Sequence, residues 1–67
     1  MLNLTIIPNG FVMREIEYHF DGDVEIINET QAHVPTDRGI ILCDTTMTID
    51  NESFNNINDF LTTLYGK

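Results

Sequence analysis

Basic side chains are scarce: three Lys and Arg stand against eleven Asp and Glu in 67 residues, a formal charge of −8 at pH 7. Nucleic acid and anionic lipid are bound through cationic patches that displace counterions, so direct contact with either is not expected. Cysteine occurs once, as Cys43, and one thiol cannot make an intrachain disulfide. There is no Cys-x-x-Cys pair, no His-x-x-x-His spacing and no calcium loop with its closing Glu. His19, His33, Asp21, Asp23, Asp37 and Cys43 therefore read as turn and core residues, with no metal and no cofactor expected. Long apolar runs are missing as well. The opening Met1-Leu2-Asn3-Leu4-Thr5-Ile6-Ile7 has no basic region and no extended apolar stretch, so neither a secretory signal nor a membrane span is expected and a cytoplasmic location follows.

What is present favours folding. The chain is 42% hydrophobic, with four Phe and two Tyr, enough apolar surface to argue against disorder despite the charge. Its length points to one domain over residues 1–67 with no enclosed substrate cavity. One core of this size supplies only about 3–5 kcal/mol, and a second subunit is a common source of further stability. With no disulfide, a homodimer is the expectation.

Period-two alternation predicts strands over Leu2–Ile7, Phe11–Phe20, Val24–Thr30 and Ile40–Ile49. Pro8-Asn9-Gly10 is the clearest turn, because Pro fixes φ and Asn-Gly accepts positive φ. Within Phe11–Phe20, alternation assigns Val12, Ile16, Tyr18 and Phe20 to the inner face and Glu15, Glu17 and His19 to the outer one, with Arg14 inward. A three-residue Asp21-Gly22-Asp23 loop then pairs Phe20 with Val24, keeping Ile26 inward and setting Glu15 opposite Glu29. His33–Gly39 reads as a connection. Ile41, Cys43, Met47 and Ile49 face inward from the last strand, opposite Asp44, Thr46 and Thr48. From Asn51 the period lengthens to that of a helix, with Phe54, Ile57, Phe60, Leu61 and Leu64 as its apolar stripe. Asp50, Asn51 and Ser53 are the candidate N-caps, and Gly66 with Lys67 suits the C-terminus. The expected fold is α+β, a four-stranded antiparallel sheet with one C-terminal helix packed on one face.

The sharpest functional feature is the outer face of that sheet. Glu15, Glu17, Glu25 and Glu29, with Asp44 from the last strand, form a row whose i, i+2 spacing is about 6.5–7 Å, close to the phosphate spacing of a nucleic-acid strand. Phe11, Met13 and Ile27 fall on the same face, with Ile40 or Leu42 beside them. An apolar patch rimmed by carboxylates is the composition of a protein-binding surface; the plain alternative is a solvated face whose charge maintains solubility. Glu17 and His19 could pair as acid and base, but no Ser or Thr nucleophile or glycine-rich phosphate loop accompanies them, so an enzyme is not expected. The leading expectation is a non-enzymatic binding module, an inhibitor or modulator of a protein with a basic, nucleic-acid-handling surface. In type it is similar to the stand-alone inhibitors that bacteriophages make, which would place it in the cytoplasm of a host. The alternative is a structural or assembly subunit that self-associates through its sheet.

Overall fold

The computed structural model describes residues 2–66; Met1 and Lys67 lie outside the described residues. Pro8 and Asn9 form the first turn as expected. Asn9 takes a φ of 59°, and β1 (Asn3–Ile7) returns directly into β2 (Gly10–Met13) with Ile7 opposite Gly10. Gly10 is required for a different reason: it is buried, and a Cβ there would collide with the Tyr18 carbonyl oxygen. Glycine allows the next strand to lie close.

The strand predicted over Phe11–Phe20 is broken in the middle. Arg14 and Glu15 both adopt positive φ, 54° and 68°, the combination of a type I′ turn, and β2 folds back onto β3 (Ile16–His19) with Met13 opposite Ile16. Neither residue is the Asn or Gly that such a turn prefers, so the sequence carries no signal for it. A two-residue turn switches the parity of the inward side chains from odd before it to even after it. Phe11 and Met13 therefore enter the core, Tyr18 and Phe20 pack against it, and Ile16 is exposed. Val12, expected inside, lies on the other face between Thr5 and Glu17. Arg14, expected to point inward, is exposed in the turn.

The Asp21-Gly22-Asp23 hairpin does not form. Phe20 instead bridges to Thr36, and the chain passes into a second sheet made of β4 (Glu25–Ile26), β5 (Gln31–Thr36) and β6 (Gly39–Asp44), in that spatial order and antiparallel throughout. The segment read as a connection, His33–Gly39, is thus mostly strand, turning at Asp37–Arg38, with Gly39 at a φ of 109°. Ile26 pairs with Ala32 and so lies on the inward side as expected, in one row with the buried Ala32 and Cys43, but at the β4 edge it stays half exposed; Glu29 is nowhere opposite Glu15.

The strand predicted over Ile40–Ile49 is also two. After the turn at Thr45–Met47, β7 (Thr48–Ile49) lies parallel to β1, and the first sheet runs β3-β2-β1-β7. The expected single antiparallel sheet is therefore replaced by a mixed four-stranded sheet and a three-stranded one. The side chain of Asn3 ties the parallel pair, its Oδ1 accepting from Thr48 Oγ1 at 2.7 Å and from the Asn51 N–H at 2.8 Å.

Asp50 and Asn51 form another positive-φ turn, at 49° and 68°, bridging Ile49 to Glu52, so the helix starts later than expected. α1 (Ile57–Tyr65) is capped by Asn56, whose Oδ1 accepts from the Asp59 N–H at 2.9 Å, and ends where the Gly66 N–H reaches the Thr62 carbonyl at 2.8 Å. Its stripe Ile57, Phe60, Leu61 and Leu64 is buried as predicted, and Phe54, just ahead of it, meets Phe60 edge-on at 5.6 Å. The inner faces of both sheets and this stripe make one cluster with Leu4, Phe11, Val34, Cys43 and Ile49 at its centre. The fold is α+β with one C-terminal helix, and no helix among the described residues is long and apolar enough to cross a membrane.

The left-handed conformation costs an ordinary L-residue about 1–2 kcal/mol, and Arg14 and Glu15 both adopt it. Replacing them with Asn and Gly, the preferred type I′ pair, should raise stability by roughly 1 kcal/mol after glycine's own entropic cost. A denaturant midpoint that falls or stays level in the Arg14→Asn, Glu15→Gly variant would contradict this turn.

Candidate functional site

The structure divides the predicted acidic row between two places. Glu15 and Glu17 stay with the first hairpin. Glu17 projects from β3, Glu15 stands in the turn, and both border an open groove of about 410 Å³ completed by Ile16, His19, Asp37 and Arg38. Here the β5–β6 turn caps the edge of β3. Asp37 Oδ1 accepts the His19 N–H at 2.9 Å, the Asp37 N–H returns a bond to the His19 carbonyl at 2.9 Å, and Arg38 Nε donates to the Glu17 carbonyl at 2.8 Å. The His19 ring also approaches Asp37 Oδ2 through Nδ1 at 3.4 Å and Glu17 Oε1 through Nε2 at 3.8 Å. The acid–base pair suggested by sequence thus has a nearer carboxylate, Asp37, which arrives from the other sheet. The hydrogen bond from the His19 backbone, more than the imidazole, holds the Asp37 carboxyl below its usual range. None of the six lining residues is Ser, Thr or Cys, and the bonds at this groove join two sheets.

The second place is the outer face of β4–β5–β6. Glu25, His33 and Leu42 form one cross-strand row, and Pro35 and Ile40 a second. A third contains Ile27, Gln31 and Asp44, with the Ile27 N–H bonded to the Gln31 carbonyl at 3.0 Å. Three apolar side chains here are open to solvent: Ile40 is 67% exposed and Ile27 and Leu42 are each 45% exposed. Glu25 lies 3.3 Å from His33 Nδ1. Asp44 accepts from the Thr46 N–H at 2.8 Å and from the Thr46 hydroxyl, which turns the chain out of β6. Glu29 stands exposed just beyond Ile27, while its carbonyl takes the Ile57 N–H at 2.7 Å and anchors the start of the helix.

Of the predicted site residues, then, Glu25, Ile27 and Asp44 share one face with Ile40 and Leu42, and Glu29 borders it. Glu15 and Glu17 belong to the other sheet. Phe11 and Met13 are not on any outer face: they are core residues, 0% and 7% exposed, because the Arg14–Glu15 turn reverses the parity on which their placement rested. His33 was missed for this face, since its segment read as a loop. The period of Gln31, His33 and Pro35 against Ala32, Val34 and Thr36 was the available signal.

Cys43 is fully buried on the inner side of β6, and burial, helped by the neighbouring Asp44 charge, pushes its thiol up to about 12. Among the described residues no group of three or more His, Cys, Asp or Glu is placed to hold a metal ion. Comparison with known proteins gives no match to a family model, to a curated protein or to a solved structure.

Two measurements check this geometry. Cys43 should resist a thiol reagent at pH 8 in the folded protein and react fully once denaturant unfolds it, so labelling will follow the unfolding transition; prompt reaction of the native protein would contradict its burial. The lowered Asp37 carboxyl stabilises the fold fully above about pH 4, and that contribution is lost as pH falls through its folded value. The stability gap between the parent and Asp37→Asn should therefore narrow in melts taken from pH 6 down to pH 2.5; a constant gap would remove the His19–Asp37 bond as its source.

Proposed function

We propose that the chain is a non-enzymatic binding module whose open β4–β5–β6 face docks on a protein with a basic surface and blocks or modulates it. The observation that supports this most is the composition of that face: Ile40 and Leu42 exposed on β6 and Ile27 exposed across β5 from them, with Glu25, Glu29 and Asp44 on the same side. Apolar side chains supply the desolvated centre of an interface, and a carboxylate rim steers a cationic partner into register. A net charge of −8 adds long-range attraction to a basic groove and repels nucleic acid and anionic membranes. Inhibition of a nucleic-acid-handling protein in the cytoplasm, as the stand-alone inhibitors of bacteriophages do, is the form of action that fits this chemistry. The groove at His19 and Asp37 enters this reading as a structural seam rather than a catalytic centre, because each of its short bonds fastens one sheet to the other. The second reading, an assembly subunit, is favoured by one observation, the uncovered edge of β6.

The division of the acidic residues supplies the test. Glu25→Lys with Glu29→Lys and Glu15→Lys with Glu17→Lys change the net charge equally, and all four positions are exposed. Immobilised parent and variants are compared for the proteins they retain from cell lysate at low and high salt. Partner capture should weaken as salt rises, vanish in the Glu25, Glu29 variant and persist in the Glu15, Glu17 variant. Equal losses would show that bulk charge alone is sensed, and loss only from the first-hairpin variant would move the interface to β3.

A further inference from the structure

We propose that two copies of the chain join edge to edge through β6, in antiparallel register about a two-fold axis at Ile41, making one continuous six-stranded sheet. This inference stands independently of the basic-partner reading.

The direction of the β6 backbone is the starting point. Pro35 has no N–H to donate and its carbonyl accepts from the Asp21 N–H at 3.0 Å, so Pro35 and the opposing Ile40 turn their backbone groups away from each other. Alternation in an antiparallel ladder then points the N–H and C=O of Leu42 outward as well. The Thr45 N–H bonded to the Thr30 carbonyl at 3.0 Å, an odd-numbered residue facing β5, agrees with that phase. Among the described residues nothing outside the ladder hydrogen-bonds to Ile40 or Leu42. These are the same two residues whose side chains are 67% and 45% exposed.

The other edges are protected. The edge of β3 is covered by Asp37 and Arg38. β7 is two residues long and closed by Glu52, and β4 is also two residues. β6 has six residues, and its first five, Gly39 to Cys43, carry none of the devices that blunt an edge, with no charge, no Pro and no bulge; the only charge is Asp44 at its end. For a chain of charge −8, this neutral strip is where two copies can approach at least electrostatic cost.

The register favours a second copy over another strand. Centring the pair on Ile41 sets Leu42 opposite Ile40 of the second copy, so that each exchanges both hydrogen bonds with its opposite residue and four bonds form. The same register places Asp44 opposite Arg38 of the second copy at both ends. Arg38 uses only Nε on the Glu17 carbonyl, so its terminal nitrogens remain available to a carboxylate of the second copy. A two-fold shifted to Leu42 would instead set Ile40 against Asp44. Both outer faces stay open in the Ile41 register and become one doubled surface.

Light scattering and amide exchange by NMR on the full chain test the proposal. The mass should approach twice 7.7 kDa at high micromolar concentration, and more completely at high salt, since screening relieves like-charge repulsion. On going from low micromolar to millimolar protein, the Ile40 and Leu42 amides should slow by roughly tenfold or more, while Ile41 and Cys43, bonded to β5, are slow at both. Ile40→Lys, at the most exposed position, should return the mass to that of one chain with an unchanged spectrum for the core; Ile27→Lys, on the same face away from the edge, should not. A mass of one chain throughout, or a dimer in which the Ile40 and Leu42 amides exchange freely, would overturn edge pairing. Dissociation by Ile27→Lys as well would show face-to-face stacking instead.

Discussion

The seam between the two sheets is the contact on which the rest of the structure depends. Phe20 bridges to Thr36, and one residue further out Asp37 exchanges bonds with His19 through both its carboxylate and its N–H. These bonds hold the β5–β6 turn against the edge of β3. Thr36 supports the turn from inside, its hydroxyl donating to the Gly39 carbonyl at 2.7 Å and accepting from the Arg38 N–H at 3.1 Å. Without the seam, the four-stranded and the three-stranded sheet would each leave an apolar inner face uncovered, and a sheet of so few short strands depends on that face being packed.

Packing at the seam is aromatic. Phe11 stacks on its cross-strand partner Tyr18 at 5.2 Å and meets Phe20 at 6.0 Å, while Phe20 stacks on Tyr65 at 4.2 Å. The run links the first hairpin to the last residue of the helix. Burial, more than the nearby Cys43 and Asp23, raises the Tyr65 phenol above its ordinary value, consistent with a ring drawn partly into the cluster. Aromatic stacks contribute about 0.5–1.5 kcal/mol beyond area burial, a meaningful share in a chain with little core to draw on.

The two sheets have different outer surfaces for a reason that lies in the connections. The outer face of the first carries Thr5, Val12 and Glu17, and its β3 edge is occupied by the seam. The second is free on its outer face and along β6, so its apolar side chains and unpaired backbone groups are the ones offered to a partner. The His19–Asp37 pair shows why proximity of titratable groups alone does not mark a catalytic centre: the larger part of the Asp37 shift comes from a main-chain bond that serves the fold.

Some of this was decided by the sequence alone. The helical stripe from Ile57 to Leu64, the Pro8–Asn9 turn, the inward set Ile41, Cys43, Met47 and Ile49, and the excess of acid over base all follow from local periodicity, turn chemistry and composition, which act over a few residues and need no distant partner. Tertiary structure decided the rest. Arg14 and Glu15 take positive φ where β2 folds back onto β3, and Asp50 and Asn51 where Ile49 bridges to Glu52, and only the paired strands reveal that the chain reverses there. Phe11 and Met13 were assigned to the wrong face through the one hidden turn at Arg14 and Glu15, since a single parity, right for Tyr18 and Phe20 after the turn, was extended across a reversal to the residues before it. The four glutamates of the acidic row are exposed and Asp44 is half-buried, but the row is not continuous, because sharing a face depends on strand pairing. Pairing is set by which apolar sides can meet in one core, a condition that no local pattern contains.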